Sequence, residues 1–122
     1  MQNHWTDGLL MAIDSMDTDK FVSYISEEGT LTFGNSPAVT GRDNIHAVIE
    51  GFFQSIAGIK HNVENVWETD GHLIMRGSST YNRHDGSVLT TPFCNVFKME
   101  NGKISTYDIY IDLSQLYMPA EV

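Results

Sequence analysis

Hydrophobic positions change period once along this chain. They recur at three- and four-residue intervals up to about residue 56 and at two-residue intervals from Lys60 onward. Trp5, Leu9, Met11, Ala12, Ile13 and Met16 mark a first helix over 5–15. Asp17-Thr18-Asp19 then supplies an N-cap for a second helix over 18–25, with Phe21, Tyr24 and Ile25 on one side and Gly29 as its stop. A strand follows at 30–33 and a loop at Gly34-Asn35-Ser36-Pro37. The third helix is expected over 42–56, where Ile45, Val48, Ile49, Phe52 and Phe53 fall at core-facing intervals. The alternating half divides into strands at 60–68, 72–83, 88–99 and 103–112, separated by Thr69-Asp70-Gly71, His84-Asp85-Gly86 and Asn101-Gly102. Asn followed by Gly is the clearest of these turns, because both residues tolerate the positive φ that a tight hairpin needs.

Helices first and hairpin-linked strands afterwards predict an α+β fold, three N-terminal helices packed on a mostly antiparallel sheet. No repeat or linker interrupts the pattern, so residues 1–122 are read as a single domain of ordinary size.

Charge narrows the partners. Sixteen acidic residues against seven basic ones give a net charge of −9, which repels a nucleic-acid backbone and an anionic membrane surface; both are excluded as partners. No apolar run reaches the length of a membrane span and the first residues lack a signal-peptide pattern, so a soluble, cytoplasmic protein is expected. The lone Cys94 fits that compartment.

Alternation assigns faces to the last two strands. With Lys98 and Lys103 turned to solvent, Thr91, Phe93, Asn95, Phe97 and Met99 point to the helices, as do Tyr107, Ile109 and Ile111. Asp108, Tyr110 and Asp112 then lie on the outer face. Ile104, Val96 and Cys94 share it, and their apolar surface there predicts a contact with a second copy of the chain.

Three short segments in this order resemble the nuclear-transport-factor-2-like superfamily, in its SnoaL-like and ketosteroid-isomerase-like branch. They are Phe33-Gly34-Asn35, Gly41-Arg42-Asp43-Asn44-Ile45 at the start of the third helix, and Gly102-Lys103-Ile104 leading to Tyr110-Ile111-Asp112. The resemblance implies a strongly bent sheet wrapped on three helices as a cone with a pocket, in a homodimer joined through the sheet. It does not imply one activity, since such folds host isomerases, cyclases, epoxide hydrolases and non-catalytic binders. The carboxylate that similar enzymes carry on the last strand corresponds here to Ile109. Matched backward from Arg83, the Arg and Asp that similar epoxide hydrolases carry on an earlier strand correspond to Ser78 and Thr80. Water activation by those charged groups is therefore not expected.

His61 is the remaining ionisable candidate for the pocket. An imidazole, with an ordinary pKa of about 6.5, suits general acid or base work, and a buried structural histidine is the competing reading. Ser78, Thr80, Thr91 and Asn95 are candidate hydrogen-bond partners for a ligand, with Phe33, Phe93, Phe97, Tyr107 and Ile109 as apolar walls. Arg83, at a hairpin end, is expected to pair with a surface acid. His4, Asp7 and Asp14 share no compact metal-ligand spacing and are read as a solvated helix face, so neither a metal nor a redox cofactor is implied.

Three functions stay open on these grounds. The first is a domain that binds a small, compact apolar molecule. The second is an isomerase or cyclase moving a proton on a carbonyl compound with His61 as base. The third is a non-catalytic dimerisation or interaction module.

Overall fold

The computed structural model describes residues 5–117. In chain order its elements are α1 (Trp5–Asp14), α2 (Thr18–Val22), β1 (Ile25–Phe33), β2 (Val39–Thr40), α3 (Arg42–Gln54), β3 (Gly58–Thr69), β4 (His72–Asn82), β5 (Val88–Glu100) and β6 (Lys103–Ile111). The strands form one curved sheet in the order β2-β1-β6-β5-β4-β3. Every pairing is antiparallel except β1 with β6, which runs parallel. The helices bury its inner face, α1 lying against β3 and α3 against β1. None of the described helices is long and apolar enough to cross a membrane.

The predicted helices and hairpins form for the reasons the sequence supplies. α1 ends where Met16 takes a positive φ of 56°, with Met16 N–H donating to Ile13 C=O (2.8 Å) and Asp17 N–H to Ala12 C=O (2.9 Å), a Schellman closure. Asp17 then caps α2 by accepting from Lys20 N–H at 3.1 Å. Two turns have the positive φ pair of a tight hairpin: Asp70 and Gly71 at 50° and 76°, and Asn101 and Gly102 at 53° and 77°.

Four features of the first half of the chain differ from the sequence reading. α2 is shorter than expected and Ile25 already belongs to β1, because the chain there finds strand partners: Ile104 N–H donates to Tyr24 C=O at 2.9 Å. Gly29 sits inside β1, at an irregularity in the pairing with β6, rather than stopping a helix. A Cβ on it would lie 2.5 Å from Ile25 Cγ2, so the close approach requires glycine. β2 is a two-residue strand with no alternating pattern to announce it. Val48, expected in the core, is exposed on α3, and the buried stripe of that helix is Ile45, Ile49 and Phe53.

The β5–β6 ribbon carries one slip. Lys98 pairs with Thr106 and Met99 with Ile104, leaving Ser105 as an extra residue in β6. Ile104 is thereby fully buried instead of facing outward. The slip lies before Tyr107, so Tyr107, Ile109 and Ile111 point inward and Asp108 points away from the helices. Phe97 is buried between Trp5, at 5.2 Å between ring centroids, and Tyr107, at 4.4 Å.

Candidate functional site

Between the sheet and the three helices the core leaves a cavity. α1 contributes Ile13, α2 Phe21, and α3 Ile49, Phe52 and Phe53; the strands add Phe33, Ile59, His61, Ser79, Tyr81, Phe93, Asn95, Tyr107, Ile109 and Ile111. It encloses about 430 Å³ of unfilled space including its mouth. The walls are mainly aromatic. Phe33 and Phe52 meet edge to face at 4.8 Å, and Phe52 also meets Tyr81 at 6.1 Å.

Of the residues singled out from sequence, Phe33, His61, Phe93, Asn95, Tyr107 and Ile109 line this cavity. Ser78 and Thr80 do not. They pair with Pro92 and Thr90 on the opposite face of the sheet, and the inward positions of β4 are Leu73, Met75, Gly77, Ser79 and Tyr81. Counting backward from Arg83 gives the wrong parity; counting forward from the apolar Leu73 and Met75 gives the observed one. The inner face of β4, from Leu73 to Tyr81, is therefore uncharged, and Arg76 lies on the outer face with Ser78 and Thr80. Thr91 is buried across from Ser79 but off the cavity, its hydroxyl directed at Asp112 C=O (3.5 Å). Phe97 belongs to the closed core and does not reach the cavity. His4 lies outside the described residues.

His61 is oriented by a group that sequence reasoning assigned to solvent. Asp14, at the end of α1, accepts from His61 Nδ1–H at 2.7 Å through Oδ1 and from the His61 backbone N–H at 3.2 Å through Oδ2. Their side chains are 9% and 30% exposed. An ionised carboxylate can only accept, so Nδ1 carries a proton toward Asp14, and in the neutral imidazole the lone pair then sits on Nε2. Nε2 has no partner among the described residues. Phe93 packs its ring edge-on against the imidazole at 5.4 Å. One sequence signal was available for Asp14: it closes the apolar run Leu9-Leu10-Met11-Ala12-Ile13, next to a core residue.

In the cavity, Asn95 Oδ1 is buried without a hydrogen-bond partner among the described residues, and Ser79 Oγ is buried with none at hydrogen-bond geometry, its polar influence falling on the Tyr81 hydroxyl. Both residues are at most 2% exposed. Ser79 stands directly across from His61 in the β3–β4 ladder, and Asn95 lies across from Met75 and Ile109. Burial pushes the Tyr81 phenol up to about 12, and burial with Tyr81 nearby pushes Tyr107 higher still, so both hydroxyls keep their protons. Among the described residues no group of three or more His, Cys, Asp or Glu side chains could hold a metal ion.

Arg83 does not pair with a surface acid. It donates to Leu116 C=O (2.9 Å), Gln115 C=O (2.8 Å) and Ser87 Oγ (2.9 Å), binding the segment after β6 against the β4–β5 hairpin.

Residues 7–107 match the model of the SnoaL-like domain, and the chain belongs to that family. Solved structures share its fold at low identity. A nuclear-transport-factor-2-like protein of unknown function from Burkholderia pseudomallei aligns with a TM-score of 0.82 and 17% identity, over 91% of this chain and 90% of that one. A ketosteroid-isomerase-like protein from Catenulispora acidiphila, solved in complex with trimethylamine, gives 0.84 and 12%, over 93% and 89%. A putative SnoaL-like polyketide cyclase from Jannaschia gives 0.77 and 15%, over 98% and 100%. No curated protein sequence matches the chain.

Proposed function

We propose that the protein binds a compact, mainly apolar small molecule carrying one or two polar groups, held in the cavity between the sheet and the helices. The observation that carries this is Asn95 Oδ1, a buried polar end without a partner among the described residues, within aromatic walls and with the Ser79 hydroxyl lining the same cavity. A buried polar atom without a partner costs about 1–3 kcal/mol, and a ligand hydroxyl or N–H supplies the missing bond. A ketosteroid-isomerase-like neighbour solved in complex with a small molecule, trimethylamine, is in keeping with a small-molecule reading. Thermal unfolding with a panel of small alcohols and phenols tests the proposal. Stabilisation of the native protein that is lost in Asn95→Leu is the expected result, and no stabilisation by any member of the panel counts against it.

The His61–Asp14 contact favours a second, catalytic reading: proton transfer on a carbonyl compound, an isomerisation or an aldol-type cyclisation. Nε2 of His61 takes a proton from the carbon beside the carbonyl, and the Asp14 carboxylate offsets the imidazolium charge. The enolate oxygen that forms accepts from the Asn95 amide or from the Tyr107 hydroxyl. His61→Ala is then expected to lower turnover by roughly 10²–10⁴-fold while ligand-induced stabilisation survives. Asp14→Asn lowers turnover in the same direction and changes its pH profile. Equal turnover in the wild type and His61→Ala removes this reading and leaves the binding one.

The protein is also proposed to form a homodimer through the outer face of the sheet. Tyr110 is 60% exposed there, across the β5–β6 ladder from Cys94, while Trp67 pairs with Ile74 at the far edge.

A further inference from the structure

The inner cavity has a larger neighbour. Phe33, Phe52 and Ile111 line it on one side, and the same three residues line a surface groove on the other. Val48 and Gly51 of α3, with Ser55 just past its end, form one bank of that groove, and Leu113, Ser114 and Tyr117, which follow β6, form the opposite bank. The outer bank is fixed in place. Arg83 holds the carbonyls of Gln115 and Leu116, the Leu116 side chain is buried, and Ser55 Oγ meets the Tyr117 hydroxyl at 2.8 Å.

Resting on the small-molecule reading above, we infer that the ligand is an elongated molecule without an acidic group, with its polar head at Asn95 and Ser79 and an apolar tail that passes beside the packed Phe33–Phe52 pair, at the neck where Ile111 borders both spaces, into the groove. The dimensions support this: Asn95 lies across from Ile109, two positions along β6 from the neck residue Ile111, so a head bonded to Asn95 fills the inner space within a few atoms. Anything longer has to leave through the neck. Chemistry sets the charge. No Lys or Arg lines either space, and the titratable groups facing them are His61 and two phenols inside, Asp112 and Tyr117 outside. Nδ1 of His61 is already taken by Asp14, and Asp112 is an acid whose carboxylate accepts from Ser114 N–H at 2.9 Å. A carboxylate or phosphate drawn in here would lose its water without gaining a countercharge.

Gly51 makes the test clean. It is exposed on α3, and a Cβ built on it meets nothing within 4 Å, so Gly51→Leu puts a side chain into the groove without touching the inner cavity. Binding of the linear alcohols from butanol to octanol is measured by calorimetry and thermal shift, with octanoate as the charged counterpart. In the native protein affinity is expected to rise roughly three- to fourfold per methylene along the series, with octanoate at least tenfold weaker than octanol. In Gly51→Leu, and in Val48→Trp at the neighbouring exposed position, butanol is expected to bind as before while octanol loses at least tenfold. Octanol binding that is unchanged in both variants, or octanoate binding as tightly as octanol, overturns the inference while butanol binding leaves the cavity reading intact. Failure of every alcohol, butanol included, overturns both.

Discussion

Replacing Asn95 by leucine exchanges an amide with a buried, unbonded oxygen for an apolar group of similar volume. The ligand-free protein is therefore expected to gain about 1–3 kcal/mol in urea unfolding, although the variant loses its ligand. A loss of stability would mean that Asn95 is satisfied in solution and that the cavity needs no polar guest. The two buried phenols make a separate prediction. The Tyr81 and Tyr107 hydroxyls are pushed above the ordinary value of about 10 by burial, so the folded state favours their neutral form. Their contribution to stability is complete below pH 10 and is lost as pH rises through about 12, the folded value of Tyr81. Alkaline unfolding in that window is expected to be eased to higher pH in Tyr81→Phe, followed by far-UV circular dichroism; an unchanged midpoint would remove the phenol from the account. At this scale half of the site was legible. Phe93, Asn95, Tyr107 and Ile109 follow from strand alternation, a local property. The Asp14–His61 pair joins α1 to β3, and no local pattern connects residues that far apart in sequence.

The strands of the second half could be read because each turn carries its own chemistry, as at Asp70-Gly71 and Asn101-Gly102. What could not be read are the irregularities inside strands. Ser105 is inserted into β6 and the β3–β4 register shifts between Val63 and Asn65 without a Gly or Pro in either strand segment to mark it. The glycine that does mark the second shift sits on the partner strand. Gly77 faces it so closely that a Cβ would lie 2.0 Å from Asn62 O, a backbone atom that cannot swing away. Gly77→Ala is expected to cost at least about 2 kcal/mol in chemical denaturation, more than an exposed glycine such as Gly51 could. Equal midpoints for the Ala variants at the two positions would show that the β3 bulge yields easily. The misplaced parity of Ser78 and Thr80 belongs here too. Their strand alternates without a break from Leu73 to Tyr81, and Arg83 lies beyond the end of β4, where no strand parity holds.

For the whole molecule, order and composition carried the architecture. Helices followed by hairpin-linked strands gave the α+β class, and the family match over residues 7–107 agrees with it. The proposed dimer belongs to this scale as well. Tyr110→Lys on the exposed sheet face is expected to shift the protein from dimer to monomer in analytical ultracentrifugation, since it adds a cation where the partner's apolar surface would lie. A native protein that sediments as a monomer at high concentration would dispose of the dimer.

β3 to β6 are joined one after another by hairpins, whereas β1 is stitched to β6 from the other end of the chain. Contacts between distant segments form late, because the entropy of closing the intervening loop must be met first. On a ribosome, a nascent chain that has not yet exposed Ile111 can assemble a meander but has no seam for β1. Its Phe33 and α3 have nowhere to settle, and the chamber does not yet exist. Any guest captured during synthesis must wait for that last stitch, which makes the β1–β6 seam the step at which a chaperone would have the most to protect.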